Sequence, residues 1–387
     1  MTRKNIPHFL ICGLSLLFYY LFQKVNMFID KEQTSSLSIY SPLLLFLIYF
    51  LYVLFNKRYI VRSSIFQHIL YFEFSVVLVA FFHSIYAPLP TFLLYFSILL
   101  PIISLLSLEL LTSSINREII VYGFAIVYLF LFWYYISNSQ YIYSIDDMEV
   151  TNASYTLLYL LPLLLCSKNT LLKVLAIVLT CVAVFLSLKR GSILSLILGL
   201  LIYIICLLLT KTGSRKKFIT FIVIVIGIFA FVQFAEYFNN QSNNIILERF
   251  DSIDDDRGSG RLDILEHTVD MISSSNFFEI LFGHGWNHVI IDSDLGFSAH
   301  NDFLEILYDF GVIVFVLYLL LYVKLFRFVH KLQKSKSKFT APMAMSLTIF
   351  IMASMVSHIV IYPYYMLTFL ITWSFIIVSD KNNISNI

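Results

Sequence analysis

Two stretches of the chain hold polar residues that the surrounding composition disfavours, and both carry the residue types of phosphate and proton chemistry. The first is FLSLKRGSILSL, residues 185 to 196, which sets Lys189 beside Arg190 inside an apolar stretch from Leu171 to Leu209. A planar guanidinium holds phosphate oxygens through paired, charge-assisted hydrogen bonds, and an adjacent ammonium adds a second cation. Lys and Arg at helix ends also snorkel to lipid headgroups, so spacing alone leaves an anion site and an interface anchor equally open. The second stretch is GFSAHNDFLEILYDFG, residues 296 to 311, where Ser298 is a candidate N-cap and His300 falls in or beside the first turn of a helix. Free N–H groups at a helix start favour an anionic ligand and disfavour imidazolium, which leaves a neutral ring able to accept a proton. Asn301 follows, and Asp302, Glu305 and Asp309 recur at i, i+3 and i+7. Such an acidic face must pair or line a wet cavity if it enters lipid.

The elements that position these residues follow from hydropathy. A chain of 387 residues that is 59% hydrophobic, 17% aromatic and 13% charged, with mean hydropathy +0.84, has more apolar surface than one soluble core can hide. Lipid is the expected solvent. Apolar runs long enough to cross a bilayer lie near 6 to 23, 39 to 55, 64 to 83, 89 to 111, 119 to 136, 154 to 167, 171 to 188, 191 to 209, 218 to 235, 303 to 323, 343 to 361 and 363 to 378, about twelve helices. The expected class is therefore an all-α membrane protein. Residues 1–235 supply nine transmembrane helices, 236–302 one large, partly helical outer loop, and 303–387 three more helices and a cytoplasmic tail. With the N-terminus inside, nineteen of the 26 basic residues fall on the cytoplasmic side. Lys189 and Arg190 then form the only short outer turn with net positive charge, with Gly191 expected to let the chain bend there.

Other classes find little support. A net charge of +2 gives no basic footprint for nucleic acid, and no glycine-rich phosphate loop or zinc-spaced Cys/His set is present. His284, His288 and Asp292 have the spacing of a metal pair, but the intervening GWN is poor helix, and no metal or cofactor is expected. His83 and His358 share the depth expected for His300 and read as interface residues. Glu73, inside the third apolar run, is expected to face the bundle. The four cysteines fall in apolar segments, where a thiol behaves as a small hydrophobe.

In order along the chain, SLKRGSILSL, then SGRLDIL at 259 to 265, ILFGHGW at 280 to 286 and SAHNDFLEILYDFG resemble the O-antigen polymerase and O-antigen ligase group of bacterial membrane glycosyltransferases. The resemblance spans roughly residues 181 to 320, and departs from the group at Glu266, where many relatives carry tryptophan. It implies a GT-C-like membrane protein that transfers a glycan from undecaprenyl diphosphate to a sugar hydroxyl, with inversion and without a metal or cofactor. The site would face the periplasm from the bacterial inner membrane. By similarity Arg190 would bind the diphosphate with Lys189 assisting, Arg261 would supply a further cation from the loop, and His300 would act as base or orient the acceptor. Asn301, Asp302 and Glu305 would serve the acceptor side or support the histidine. The implied partners are undecaprenyl-diphosphate-linked oligosaccharides as donor and acceptor, membrane lipid, and a chain-length regulator as an optional partner. Polymerase ranks ahead of ligase as the expected activity. A transporter ranks third, because the basic outliers gather at one face.

Overall fold

The computed structural model describes residues 64–83, 114–138, 153–187, 189–210, 233, 236, 260–357, 359 and 363–384, and every regular element among them is helical. In chain order these are α1 (Ser64–His83), α2 (Ser114–Asn138), α3 (Ala153–Leu164), α4 (Thr170–Leu186), α5 (Arg190–Thr210), α6 (Arg261–Ser274), α7 (Phe277–Phe282), α8 (His288–Asp292), α9 (Asp302–Lys334), α10 (Thr340–Val356) and α11 (Pro363–Ile384). The apolar runs at 64 to 83, 119 to 136, 154 to 167, 171 to 188 and 191 to 209 become α1 to α5 with ends shifted by a few residues. Those at 6 to 23, 39 to 55 and 89 to 111, and nearly all of 218 to 235, lie outside the described residues, as do His83's side chain and His358. Among the described residues, three segments are long and apolar enough to cross a membrane: Arg117–Ser137, Arg190–Thr210 and Asp302–Lys334. The chain is a multi-pass membrane protein.

Hydrophobicity all the way round predicts a helix buried on every side, and α3 is one. Tyr155, Leu157, Leu158, Tyr159, Leu160 and Leu161 are all within 3% of full burial, and α2, α4, α10 and α11 pack around them. Small residues set the approach of α5 to α10. Gly191, Ser195 and Gly199 recur every fourth residue, and a Cβ at Gly199 would lie 2.9 Å from Ile349 and one at Gly191 3.0 Å from Val356. Lipid offers helices no hydrophobic drive to associate, so this close van der Waals fit substitutes for it. Gly191 thus has a different task from the expected bend. It sits in the first turn of α5 and is not among the residues with positive φ.

The segment expected as a tenth span at 303 to 323 is also revised. Its helix runs from Asp302 to Lys334 but breaks at Gly311, whose φ of 77° and ψ of 175° are not helical. Residues 302 and 318 would stand about 24 Å apart on an unbroken helix, yet the Tyr318 hydroxyl donates to the Asp302 carboxylate at 3.2 Å. Phe303 also meets Tyr322, with ring centroids 5.8 Å apart. The arm 302–310 therefore folds back along 312–334, and the His300 end of α9 lies well below the Gly311 corner. The helix continues to Lys334, leaving 335–339 as the turn into α10.

Glycine is needed at this corner twice over. A Cβ at Gly311 would meet the Gly283 nitrogen and the Leu281 carbonyl at 2.5 Å, and one at Gly283 would collide with the Asp309 carbonyl. The corner carbonyls freed by the break accept hydrogen bonds from the loop: His284 N–H to Tyr308 at 3.0 Å and Gly285 N–H to Asp309 at 2.8 Å. Gly311→Ala should therefore lower the melting temperature by clearly more than Gly296→Ala. Gly296 has a similar φ of 65° but nothing within 4 Å of its Cβ position, so it carries only the left-handed strain of about 1–3 kcal/mol. Equal thermal shifts would refute the backbone contact as the cause.

Candidate functional site

The Lys189–Arg190 turn joins α4 to α5 and is locked by two serines. Ser187 Oγ donates to the Val184 carbonyl at 2.7 Å and accepts from the Lys189 N–H at 3.3 Å. Ser192 Oγ donates to the Lys189 carbonyl at 2.8 Å. Arg190 is consequently the first residue of α5, half-buried, at the end of the helix where N–H groups lack intrahelical partners. Lys189 lies over the ring of Tyr155, its Nζ 5.5 Å from the ring centroid. This cation–π contact partly compensates a half-buried ammonium.

Arg261 and His300 complete a cationic corner. Arg261 opens α6 behind Gly260, whose left-handed φ of 74° turns the chain into the helix. Its charge acts on Lys189, His300 and Tyr155 together, which sets the three within electrostatic range of one guanidinium. Burial, then the Arg261 charge, pushes the Lys189 ammonium down to about 8. Burial, then Arg261 and Lys189, pushes the His300 imidazole down to about 4. Burial and those two charges keep the ring neutral at physiological pH. Three helix starts, those of α5, α6 and α9, meet the same corner, and their positive ends add to its attraction for an anion.

The loop holding His300 is pinned from both sides. Asn301, and not Ser298, caps α9, accepting from the N–H groups of Phe303 at 2.9 Å and Leu304 at 3.2 Å. Its Nδ2 donates to the Met355 carbonyl at 3.3 Å. Asp302 accepts from the Ile359 N–H at 2.8 Å as well as from Tyr318, and Glu305 accepts from the Ala299 N–H at 2.7 Å. Asp309 accepts from Asn287 at 2.7 Å and Val289 at 2.9 Å. These three carboxylates, fully buried, pair with loop backbone, the first of the two alternatives the sequence left open. With both neighbours fixed, His300 is held at a left-handed φ of 49°, a conformation that a non-glycine residue keeps only when its surroundings impose it.

The remaining polar candidates fall elsewhere. His284 stacks on Tyr308 with centroids 4.0 Å apart, and its Nδ1 lies 3.1 Å from the Tyr308 carbonyl. His288 Nδ1 pairs with Asp292 at 3.1 Å. Among the described residues, no three His, Cys, Asp or Glu groups converge as a metal would require. Glu73 is buried in α1, as expected, and Glu266 is exposed on α6. An apolar groove of about 830 Å³ between α1 and α7, lined by Leu78, Phe82, Phe277, Phe278 and Phe282, holds none of the candidate site residues. Sequence reasoning missed Tyr155, Ser187 and Ser192. The two serines flanking the cations inside an apolar hairpin were the available signal, whereas nothing local marked Tyr155.

Among curated proteins none matches the chain. A family match does arise, and its limits enclose Lys189, Arg190, Arg261 and His300, running from within α4 to within α9. Residues 175–319 match the family model Wzy_C, O-antigen ligase.

Proposed function

We propose that the protein is a polysaccharide polymerase that joins undecaprenyl-diphosphate-linked oligosaccharide units at the periplasmic face of the bacterial inner membrane, inverting the donor's anomeric centre without a metal. The observation that carries this reading is that Lys189, Arg261 and a neutral His300, from segments far apart in sequence, lie within electrostatic range of one another, with Arg190 following Lys189 in the chain. A lipid diphosphate is already a good leaving group. The protein must chiefly neutralise its developing charge and take a proton from the acceptor hydroxyl, and cations beside an uncharged imidazole suit those two tasks. Asn301, Asp302 and Glu305 serve by fixing the histidine. In this reading 236–302 is a periplasmic loop, nine spans precede it and three follow.

A ligase reading, in which the finished glycan passes to lipid A core, shares donor and site, and the description of the matching family favours it. The acceptor separates the two. Purified protein in nanodiscs, given lipid-linked repeat units alone, is expected to yield a ladder of longer glycans still on the lipid. Product only after core lipid is added would replace polymerase with ligase. Movement of the lipid-linked sugar across a bilayer with no new bond would overturn both.

A further inference from the structure

We propose that Tyr155 is a further substrate-touching residue, its phenol hydroxyl donating a hydrogen bond to a phosphate oxygen of the lipid diphosphate between Lys189 and the first turn of α5. This rests on the diphosphate reading above, and it names a contact on α3, outside the family-matched segment 175–319.

Four observations support it. Tyr155 is 3% exposed, yet its ring forms the floor beneath the Lys189 ammonium. Its hydroxyl stands against Gly191, next to Arg190, so closely that a Cβ there would lie 2.6 Å from the oxygen. The Arg261 charge acts on the phenol as well. Finally, other buried tyrosines of the bundle use their hydroxyls internally: Tyr135 donates to the Ala183 carbonyl at 3.2 Å, Tyr128 pairs with Thr180 at 2.8 Å and Tyr322 donates to Ser354 at 2.8 Å. The Tyr155 hydroxyl has no hydrogen-bond partner among the described residues. That leaves the hydroxyl available to donate, and a phosphate oxygen held by the neighbouring cations would accept from it. The same packing suits glycine at position 191, since a Cβ there would crowd both the hydroxyl and Val356.

The test is binding of undecaprenyl diphosphate to the purified full-length protein in nanodiscs, with undecaprenol as the control that lacks the phosphates. Tyr155→Phe keeps the ring under Lys189 and removes only the donor. It is expected to weaken diphosphate binding by about 10- to 100-fold, the scale of a hydrogen bond to a charged group, and to leave undecaprenol binding unchanged. Tyr128→Phe, which removes a hydroxyl far from the cations, should bind as wild type. Wild-type affinity in Tyr155→Phe alongside loss in Arg190→Ala would overturn the tyrosine contact and leave the diphosphate reading standing. Equal loss of undecaprenol would mark general damage and overturn the specific role. No diphosphate binding by the wild type would remove both readings.

Discussion

His300→Gln and His300→Ala are both expected to fold and both to lose glycan transfer by about 100-fold or more, the scale of a removed general base. The competing role is structural, since His300 sits in a left-handed turn between two pinned neighbours. Glutamine separates these roles because an amide can keep hydrogen bonds but takes up no proton near neutral pH. The acid side of the pH profile gives a second readout. A base must be neutral, so activity is lost as pH falls through the imidazole pKa. Burial and the charges of Arg261 and Lys189 put that value at about 4 in the free protein, and kcat/KM should stay level from neutrality down to about pH 5. A base that weak is a poor proton acceptor. When the donor's diphosphate arrives, its negative charge offsets the two cations and raises the imidazole toward neutrality, so the limb in kcat should lie above the limb in kcat/KM. Near-normal transfer by well-folded His300→Gln would exclude proton abstraction by this residue.

The sequence displays most of the scaffold because hydropathy acts at the scale of whole spans. A window of about 20 residues averages over local irregularity, which is why the runs that became α3, α4 and α5 were found with small errors at their ends. The same averaging hid the corner at Gly311. Hydropathy reads straight through Tyr308, Asp309, Phe310 and Gly311, although a carboxylate two residues before a glycine in an apolar run is a local signal of a break. Long-range pairing is the other gap. Asp302 meets Ile359 and Tyr318, and Asp309 meets Asn287 and Val289, through backbone groups whose partners no motif specifies. The acidic face read on one helix left pairing and a wet cavity both open, and only the long-range partners decide between them. Lys189, Arg261 and His300 come from three of the four motifs, and the charge of Arg261 acts on the other two. Tyr155 stayed hidden because it is one tyrosine among 25, distinguished only by what stands next to it.

Arg190 decides whether the cationic corner is a binding site or a membrane anchor. An anchor needs positive charge at roughly the right depth and tolerates lysine, whereas a fork gripping two phosphate oxygens does not. Arg190→Ala is expected to lower kcat/KM by about 100-fold or more, in line with removal of a group that stabilises charge in the transition state. Arg190→Lys should recover only part of this, because a single ammonium replaces the charge without the paired geometry. Lys189 gives the experiment an independent axis. Its ammonium is held down to about 8, first by burial and then by Arg261, so its positive charge is present below that pH and lost as pH rises through it. Wild-type kcat/KM should therefore fall above about pH 8, and in Lys189→Arg that basic limb should move upward, since a guanidinium stays charged throughout. Full activity in both Arg190 variants at normal membrane levels, with no movement of the basic limb in Lys189→Arg, would reduce these two residues to headgroup anchors and leave Arg261 alone to meet the leaving diphosphate.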